Sequence, residues 1–290
     1  MAPKFLVSEI KKKPPTKMSA DFIRSFVLSA LGILPALCGF AWYNMVHILG
    51  IAPSVRVLLG PIAVSVVVSA VVATLNTFHL RRARNAERLN IRELEATQVD
   101  LIRTLSETAE ARSGDTGEHL RRVAACTKAL AQLAGKTQGE AEAIAIASPL
   151  HDIGKLATPD SVLNKPGKLT EEELSIMRTH AKAGHDMLAS SSQPLLLMGS
   201  RIAYGHHEKW DGSGYPQGLR GDAIPEEARI VAIADVFDAL ASKRVYKEAW
   251  SETQIWQYFT EESGRHFDPA LCQLFLDNFD SFMSIRSGKS

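Results

Sequence analysis

The chain has 290 residues, enough for one ordinary domain and an appendage. Its formal net charge is +1 and its mean hydropathy is −0.04, but these averages combine two unlike parts, because residues 25–55 and 57–80 contain no Asp, Glu, Lys or Arg. The basic residues cluster beside these stretches, so the charge gives no support for binding to a nucleic-acid polymer.

The first part of the chain predicts a basic tail and a transmembrane helical hairpin. Residues 1–20 include KKKPPTK and are typical of a flexible tail that lies against anionic lipid headgroups. Within residues 21–80, apolar stretches at about 24–46 and 57–79 are each long enough to span a bilayer. Arg56 lies between them, in a turn too short to hold a folded external domain. The alternative is a pair of helices buried in a large soluble core.

Charges that flank the apolar stretches predict the orientation of the hairpin. The basic residues on the two outer sides are Lys11, Lys12, Lys13, Lys17 and Arg24 before the first stretch, and Arg81, Arg82, Arg84 and Arg88 after the second. Basic residues near membrane spans favour the cytoplasmic side. We therefore expect both ends of the hairpin, and the domain that follows, to be cytoplasmic.

Residues 81–98 predict a linker helix that leads into a domain over residues 99–290. The sequence from 81 to 112 has no Gly or Pro and is rich in helix formers. Its heptad positions are Ile91, Leu94, Leu101 and Leu105, with Gln98 at a polar position of the seam. This pattern fits a coiled coil, or a helix that packs one stripe on its own domain. A helix that continues out of the membrane favours a homodimer in either case.

Beyond residue 112 the pattern predicts an all-α domain. Thr170 followed by Glu173 forms a capping-box sequence, so a helix that carries His180 should begin there. Pro149 should kink the helix just before His151. The segment EEARIVAIADVFDALAS predicts a further helix. The cysteines at 38, 126 and 272 form no CxxC pair, and we expect them to fill apolar space as reduced thiols.

The adjacent pair His151-Asp152 is the strongest local signal for chemistry. Imidazole and carboxylate groups hold divalent transition metals, and one Asp can bridge two ions. Neighbouring positions on a helix point about 100° apart, so the pair suits two neighbouring ligand sites. A buried carboxylate in an apolar segment is costly unless it is paired or bound to a metal. The alternative is a structural hydrogen bond between the two side chains.

Seven motifs in order resemble the HD-GYP subfamily of HD-domain phosphohydrolases, over about residues 97–285. They are His119, HDIGK at 151–155, His180 with Gly184, HHEKWDGSGYP at 206–216, ADVFDAL at 234–240, Arg244-Val-Tyr-Lys247 and HFDP at 266–269. The resemblance implies an HD-domain helical bundle with a dinuclear metal site. It also implies hydrolysis of the bacterial second messenger cyclic di-GMP to linear pGpG, and in some members to GMP, with two or three Fe or Mn ions. The expected location is then the bacterial inner membrane.

The resemblance also implies roles for individual residues. One metal would be held by His119, His151, Asp152 and Asp235, and the second by Asp152, His180, His206 and His207. Asp152 would bridge the two ions, and Lys155 would reach the scissile phosphate. Arg244 and Lys247 would position phosphates, and Tyr215 would pack in a loop that shapes the guanine or phosphate pocket.

Three positions depart from the family pattern. Asp115 stands four residues before His119, where members with a third metal carry Glu, so Asp115 is a candidate ligand for a third ion. The alternative is that Asp115 begins a helix as a cap. Val245 replaces the usual Pro, which puts the placement of Arg244 in doubt, and Ser113 replaces the usual Asp.

Two further histidines, His185 and His266, are expected to lie outside the metal set, whereas Asp238 and Glu208 could orient ligand histidines. The sequence thus predicts a membrane-anchored cyclic di-GMP phosphodiesterase. Two alternatives stay open. One is an HD-type hydrolase of another cyclic or linear nucleotide, such as a hybrid cyclic dinucleotide. The other is a catalytically silent sensor that binds cyclic di-GMP and signals through a partner.

Overall fold

The named secondary-structure elements in the part of the chain that the structure describes are all helices, joined by turns and loops. This computed structural model describes residues 36–37, 39–45, 47–50, 53–113, 117–243 and 248–288. Within these ranges every named element is a helix, and one isolated β-bridge joins Ser263 to Phe267. The predicted all-α class is therefore confirmed.

Helix α1 runs without interruption from Pro53 to Ser113, and the chain divides within it into two compact units, Met1–Arg92 and Glu93–Ser290. The preceding turn lies at residues 49–50, so Arg56 belongs to the helix and the prediction that it lies in the turn was wrong. The reason is Pro53, because proline is favoured at the first position of a helix, where its missing amide hydrogen is not needed.

From Ile62 onward, helix α1 is long and apolar enough to cross a bilayer, a criterion that rests on length and composition alone. The second predicted stretch, 57–79, falls in this helix. Most of the first, 24–46, lies outside the described residues. The transmembrane hairpin therefore stays a prediction.

The linker part of helix α1 carries two different apolar stripes. Leu94, Leu101 and Leu105 of the predicted heptad pattern are between 50% and 70% exposed. A separate stripe that contains Ile102 and Ala109 is buried within the second unit, in one apolar cluster with Leu150 and Ile153. The helix therefore packs on its own domain with a stripe other than the heptad one.

The second unit is built from short helices that follow α1. Within the described residues they are α2 Gly117–Leu133, α3 Gln138–Ala147, α4 Asp160–Leu163, α5 Glu171–Leu188, α6 Pro194–Gly205, α7 Glu226–Ala241, α8 Glu252–Glu262, α9 Pro269–Asp277 and α10 Phe279–Ser287, with 3₁₀ helices at Ser148–Ala157 and Gly221–Ala223. The predicted capping box is present, since Thr170 caps α5 reciprocally with Glu173. Asp268 caps α9, with Pro269 at its start.

A large apolar core holds α2 against α7 and the C-terminal helices. Phe275 packs 5.1 Å from Phe237 and 4.5 Å from Phe259, measured between ring centroids. Cys126 and Cys272 are buried free thiols, and burial raises their pKa to about 12 and about 11. They fill apolar space, as predicted, and the core fixes α2 beside α7.

Pro149 marks a change in helix winding just before the His-Asp pair. Helix α3 ends at Ala147, and the 3₁₀ helix Ser148–Ala157 follows directly, so a change from α to 3₁₀ winding lies where the sequence predicted a kink. Gly154 lets this segment approach α5 closely. A Cβ at Gly154 would lie 2.0 Å from the carbonyl oxygen of His180 and 2.4 Å from the amide nitrogen of Gly184. Any side chain there would force the two helices apart.

We therefore expect Gly154→Ala to lower the free energy of unfolding by about 1–3 kcal/mol, because the added methyl overpacks a backbone contact. Gly139→Ala is a matched control, since Gly139 lies in α3 and an added methyl group would meet no atom within 4 Å. It should raise the free energy of unfolding by up to about 1 kcal/mol, because alanine is the better helix former. Urea unfolding followed by tryptophan fluorescence measures both. Equal stability of the two variants would contradict the packing argument.

Candidate metal centre

The 3₁₀ helix Ser148–Ala157 presents His151, Asp152 and Lys155 to one buried region. The His151 side chain is fully buried, and Asp152 is 9% exposed. Nζ of Lys155 lies 2.7 Å from Oδ2 of Asp152. The carboxylate is thus enclosed among cationic and imidazole groups, which offset the cost of its burial.

The two oxygens of Asp152 face different histidines. Oδ2 lies 3.2 Å from Nε2 of His151, whereas Oδ1 lies 3.2 Å from Nε2 of His180 and 3.8 Å from Nε2 of His206. One ligand atom from each of Asp152, His180, His206 and His207 can be chosen so that all lie within 4.8 Å of one another. This group could hold one metal ion.

A second group lies on the other side of Asp152. Oδ1 of Asp235 on α7 is 3.5 Å from Nε2 of His119 on α2 and 3.8 Å from Nε2 of His151. Ligand atoms of these three residues also lie within 4.8 Å of one another. The structure therefore brings five histidines and two aspartates of the predicted ligand set together in two adjacent groups.

Four of these histidines are oriented through their Nδ1 atoms. Nδ1 of His119 lies 2.8 Å from Oδ2 of Asp238. For His151, His180 and His206, Nδ1 lies 2.8–3.0 Å from a carbonyl oxygen three residues earlier in the chain. A carbonyl only accepts, so these Nδ1 atoms carry the hydrogen, and each Nε2 can bind a metal when it carries no proton. Such contacts on the far ring nitrogen are typical of histidines that bind metals.

The polar atoms of the centre fit a pair of metal ions. Nε2 of His151 and Oδ1 of Asp152 are buried, and neither makes a hydrogen bond of proper geometry to any described residue. Buried polar atoms without a partner are costly, and a bound cation would satisfy both. A mixed set of imidazole nitrogens and carboxylate oxygens suits divalent transition metals.

The pKa values in the centre separate its two sides. Burial by itself lowers the pKa of His151, but the charges of Asp152 and Asp235 outweigh it and raise the pKa to about 10. Burial raises the pKa of Asp152, but His151 and Lys155 hold it well below its usual range. His207 differs, because burial lowers its pKa to about 3. The negative side therefore attracts a cation, whereas His207 is neutral at physiological pH.

The loop after the His206-His207 doublet is held tightly against it. A Cβ at Gly214 would lie 2.3 Å from the amide nitrogen of Lys209, so this position requires close backbone approach. The Tyr215 ring stacks on His207 at 4.7 Å between centroids, and the Arg178 guanidinium lies 5.4 Å from the centroid of the Tyr215 ring. Tyr215 thus packs beside the ligand group, and its role in a substrate pocket stays a prediction.

Asp238 and Glu208 have different roles in the structure. Asp238 contacts His119, as expected, and also accepts hydrogen bonds from Arg122 at 2.6 Å and 2.9 Å. Glu208 instead accepts hydrogen bonds from the amide nitrogens of Gln217 and Leu219, at 2.7 Å and 3.0 Å. It anchors the loop rather than a histidine ring, because its side chain is directed at backbone donors.

Several predicted residues are not part of the described centre. Asp115, Arg244 and Lys247 lie outside the described residues, so their proposed roles stay predictions. His185 stacks on Tyr204 at 4.4 Å, and His266 stacks on Phe267 at 4.3 Å. Neither histidine belongs to the two ligand groups, which agrees with the sequence analysis.

Two residues near the centre were missed from the sequence. Glu110 of helix α1 has a carboxylate oxygen within 4.8 Å of ligand atoms of His151 and Asp152. Arg178 lies two residues before His180 on α5 and contacts Tyr215. The sequence signal for Glu110 was an acidic residue directly after Ala109, on the apolar stripe that also contains Ile102. The sequence held no comparable signal for Arg178, since exposed arginines on helices are common.

The comparisons with known proteins agree with this arrangement. Residues 103–271 match the HD domain family. A 3'3'-cGAMP-specific phosphodiesterase of Vibrio cholerae is 49% identical over 195 residues, which cover 67% of this chain and 37% of that protein. The cyclic di-GMP phosphodiesterase response regulator RpfG of Xanthomonas campestris is 46% identical over 180 residues, which cover 62% of this chain and 48% of that protein.

A further relative, a cyclic di-GMP phosphodiesterase of Vibrio cholerae, is 43% identical over 206 residues, which cover 67% of this chain and 42% of that protein. The chain therefore spans less than half the length of these three relatives. Residues 103–271, which match the HD domain family, contain the two ligand groups described above.

The raised pKa of His151 leads to a prediction about metal binding. Below a pH of about 10 the metal-free ring carries a second proton, which must leave before Nε2 can bind a metal. We expect Mn²⁺ binding at pH 7 to release about one proton from His151, and the apparent affinity to fall by about tenfold per pH unit as the pH is lowered. Calorimetric titration in two buffers of different ionisation enthalpy measures the release. Equal heats in both buffers would contradict this prediction.

Proposed function

The chain belongs to the HD domain family, and we propose that it is a metal-dependent phosphodiesterase that hydrolyses cyclic di-GMP to linear pGpG, and in a second step to GMP. The observation that supports this most directly is the convergence of four Nε2 atoms on the carboxylates of Asp152 and Asp235. Three relatives named as phosphodiesterases of cyclic dinucleotides support the same reaction class.

The proposed metal ligands follow the two groups. His119, His151 and Asp235 would hold one ion, and Asp152, His180, His206 and His207 would hold the other. The family resemblance implies that Asp152 would be a ligand of the first ion as well. Two divalent ions together supply Lewis acidity to a phosphodiester and lower the pKa of water. Fe and Mn are the proposed metals, and Asp115 is the proposed further ligand if a third ion binds.

Lys155 is the proposed contact to the phosphate. Its side chain is 15% exposed, and its ammonium group lies beside Asp152 at the edge of the centre. An ammonium group there can donate to a phosphate oxygen and offset the charge that develops on it. Tyr215 shapes the adjoining pocket, and Arg244 and Lys247 supply further cations to the phosphates. Arg178, over the Tyr215 ring, adds a cation that the sequence analysis did not predict.

A hybrid cyclic dinucleotide is the second candidate substrate. The relative with 49% identity is named for specificity toward 3'3'-cGAMP. This hybrid molecule and cyclic di-GMP contain the same two phosphodiester bonds. Metal ligands act on the phosphates, which the two substrates share, so the choice between them depends on contacts to the bases. A catalytically silent sensor is disfavoured, because all seven residues of the predicted dinuclear set lie together in two groups that could hold metal ions.

The proposed setting is a homodimer anchored in the bacterial inner membrane by a helical hairpin, with the catalytic domain in the cytoplasm. Helix α1 from Ile62 onward supports one span. The exposed heptad residues Leu94, Leu101 and Leu105 support pairing of two copies, since an apolar stripe of this spacing is stabilised by an equal stripe on a partner helix.

We expect Asp152→Asn to abolish turnover of both cyclic dinucleotides and to reduce the bound metal, because the neutral amide cannot bridge two cations. Product analysis by chromatography after reconstitution with Fe(II) or Mn(II) measures turnover and identifies the substrate and product. His185→Asn is the matched control, as it changes a histidine of the same fold outside the ligand groups. Full activity in Asp152→Asn would refute the proposed function.

The proposed dimer makes a separate prediction. Leu94→Lys should shift the detergent-solubilised full chain toward monomer, because a lysine ammonium in an apolar seam loses its hydration. Ala96→Lys, on an exposed part of the same helix, is the control and should leave the molar mass unchanged. Size-exclusion chromatography with light scattering measures both. An unchanged dimer in Leu94→Lys would contradict pairing through this stripe.

A further inference from the structure

Glu110 is a buried acid whose position the metal ligands alone do not explain. Its side chain is 1% exposed, on the last turns of helix α1. Neither carboxylate oxygen makes a hydrogen bond of proper geometry to any described residue. Burial of a carboxylate in this way is costly, so it persists in folded proteins when a nearby charge or ligand compensates for it.

The compensating charge is the ammonium group of Lys155. Oε1 of Glu110 lies 3.5 Å from Nζ of Lys155, and the same Nζ lies 2.7 Å from Oδ2 of Asp152. The lysine is therefore placed between two carboxylates, one from helix α1 and one from the 3₁₀ helix. Burial raises the pKa of Glu110, and the charge of the Lys155 ammonium group opposes that rise.

The same geometry argues against Glu110 as a metal ligand. Its carboxylate comes within 4.8 Å of ligand atoms of His151 and Asp152, so distance alone would permit an ion there. Nζ of Lys155, however, contacts both carboxylates that such an ion would have to join. Asp152 also faces His151 and His180, at 3.2 Å each, whereas the ion pair of Glu110 is with the ammonium group.

Helix α1 is fixed to the segment that carries Lys155. Arg112, two residues after Glu110, donates hydrogen bonds to the backbone oxygens of Lys155 at 3.1 Å, Leu156 at 2.7 Å and Thr158 at 3.1 Å. On the preceding turn, Ala109 belongs to the apolar cluster that contains Ile153. These contacts hold the backbone of Glu110 in place, so its carboxylate is directed at Lys155 before any substrate binds.

We propose that Glu110 is a positioning residue that holds the Lys155 ammonium group where it can contact a phosphate of the cyclic dinucleotide. This inference rests on the proposed function, because Lys155 must have a phosphate to bind. It assigns the end of helix α1 a direct part in the active site, in addition to its structural contacts.

The test is a double-mutant cycle on the metal-loaded full chain, with Glu110→Gln, Lys155→Gln and the combined variant. Glu110→Gln should lower kcat by about 10- to 100-fold, the usual cost of removing a residue that orients an active-site group. KM should change less, since the charge that Lys155 offsets develops in the transition state. In the Lys155→Gln background, Glu110→Gln should cause no further loss, because its effect acts through the lysine.

Three controls separate this role from others. Metal content by mass spectrometry should be unchanged in Glu110→Gln, and Glu107→Gln, on an exposed position one turn earlier, should keep wild-type kinetics. Glu110→Asp keeps the charge but shortens the side chain by one methylene, so its loss of kcat should be smaller than that of Glu110→Gln. It replaces Glu110→Gln in the test if that variant does not fold. Loss of a metal ion, wild-type kinetics in Glu110→Gln, or additive losses in the combined variant would each overturn the inference.

A failure of the proposed function can be distinguished from a failure of the positioning role of Glu110. A wild-type chain that is fully metallated and turns over no cyclic dinucleotide would overturn the function. The positioning role is then tested by calorimetric binding of inorganic phosphate to the metal-loaded chain. Glu110→Gln should weaken this binding by about tenfold, and only when Lys155 is present. Equal phosphate affinity in wild type and Glu110→Gln would overturn the positioning role.

Discussion

The second unit is organised around one buried carboxylate. Asp152 can face histidines on both sides only because the 3₁₀ helix that carries it lies directly against α5. That contact depends on the absence of a side chain at Gly154. The apolar core fixes α2 and α7 on the other side, where His119 and Asp235 complete the arrangement. The helix packing therefore determines the geometry of the site, because a shift of Asp152 away from either side would separate it from the histidines on that side.

Most of the ligand orientation is local. His151, His180 and His206 each place Nδ1 against a carbonyl three residues earlier, so the winding of a single turn fixes both the ring and its tautomer. His119 is different, because its orientation depends on Asp238 from another helix. Asp238 is in turn held by Arg122, and by Arg286 near the C-terminus at 3.2 Å. The ring of His119 is therefore the one in this set whose placement requires distant parts of the chain.

This difference explains what the sequence could predict. The Thr170 capping box, the change of winding at Pro149 and the adjacent His-Asp pair are local signals, and the structure contains all three as expected. Glu110 and Arg178 were missed because their importance comes from residues 45 and 37 positions away, respectively Lys155 and Tyr215. Arg56 was placed wrongly because helix α1 begins earlier than the charge pattern suggested. The heptad pattern was also incomplete, since it contained no sign that a second stripe would pack on the domain.

The high pKa of His151 means that protons and metal ions compete for the same ring nitrogen. A proton on this ring balances part of the negative charge of Asp152 and Asp235, in the same region where a cation is expected to bind. The two carboxylates therefore favour either kind of cation, and acid opposes metal binding through this one ring.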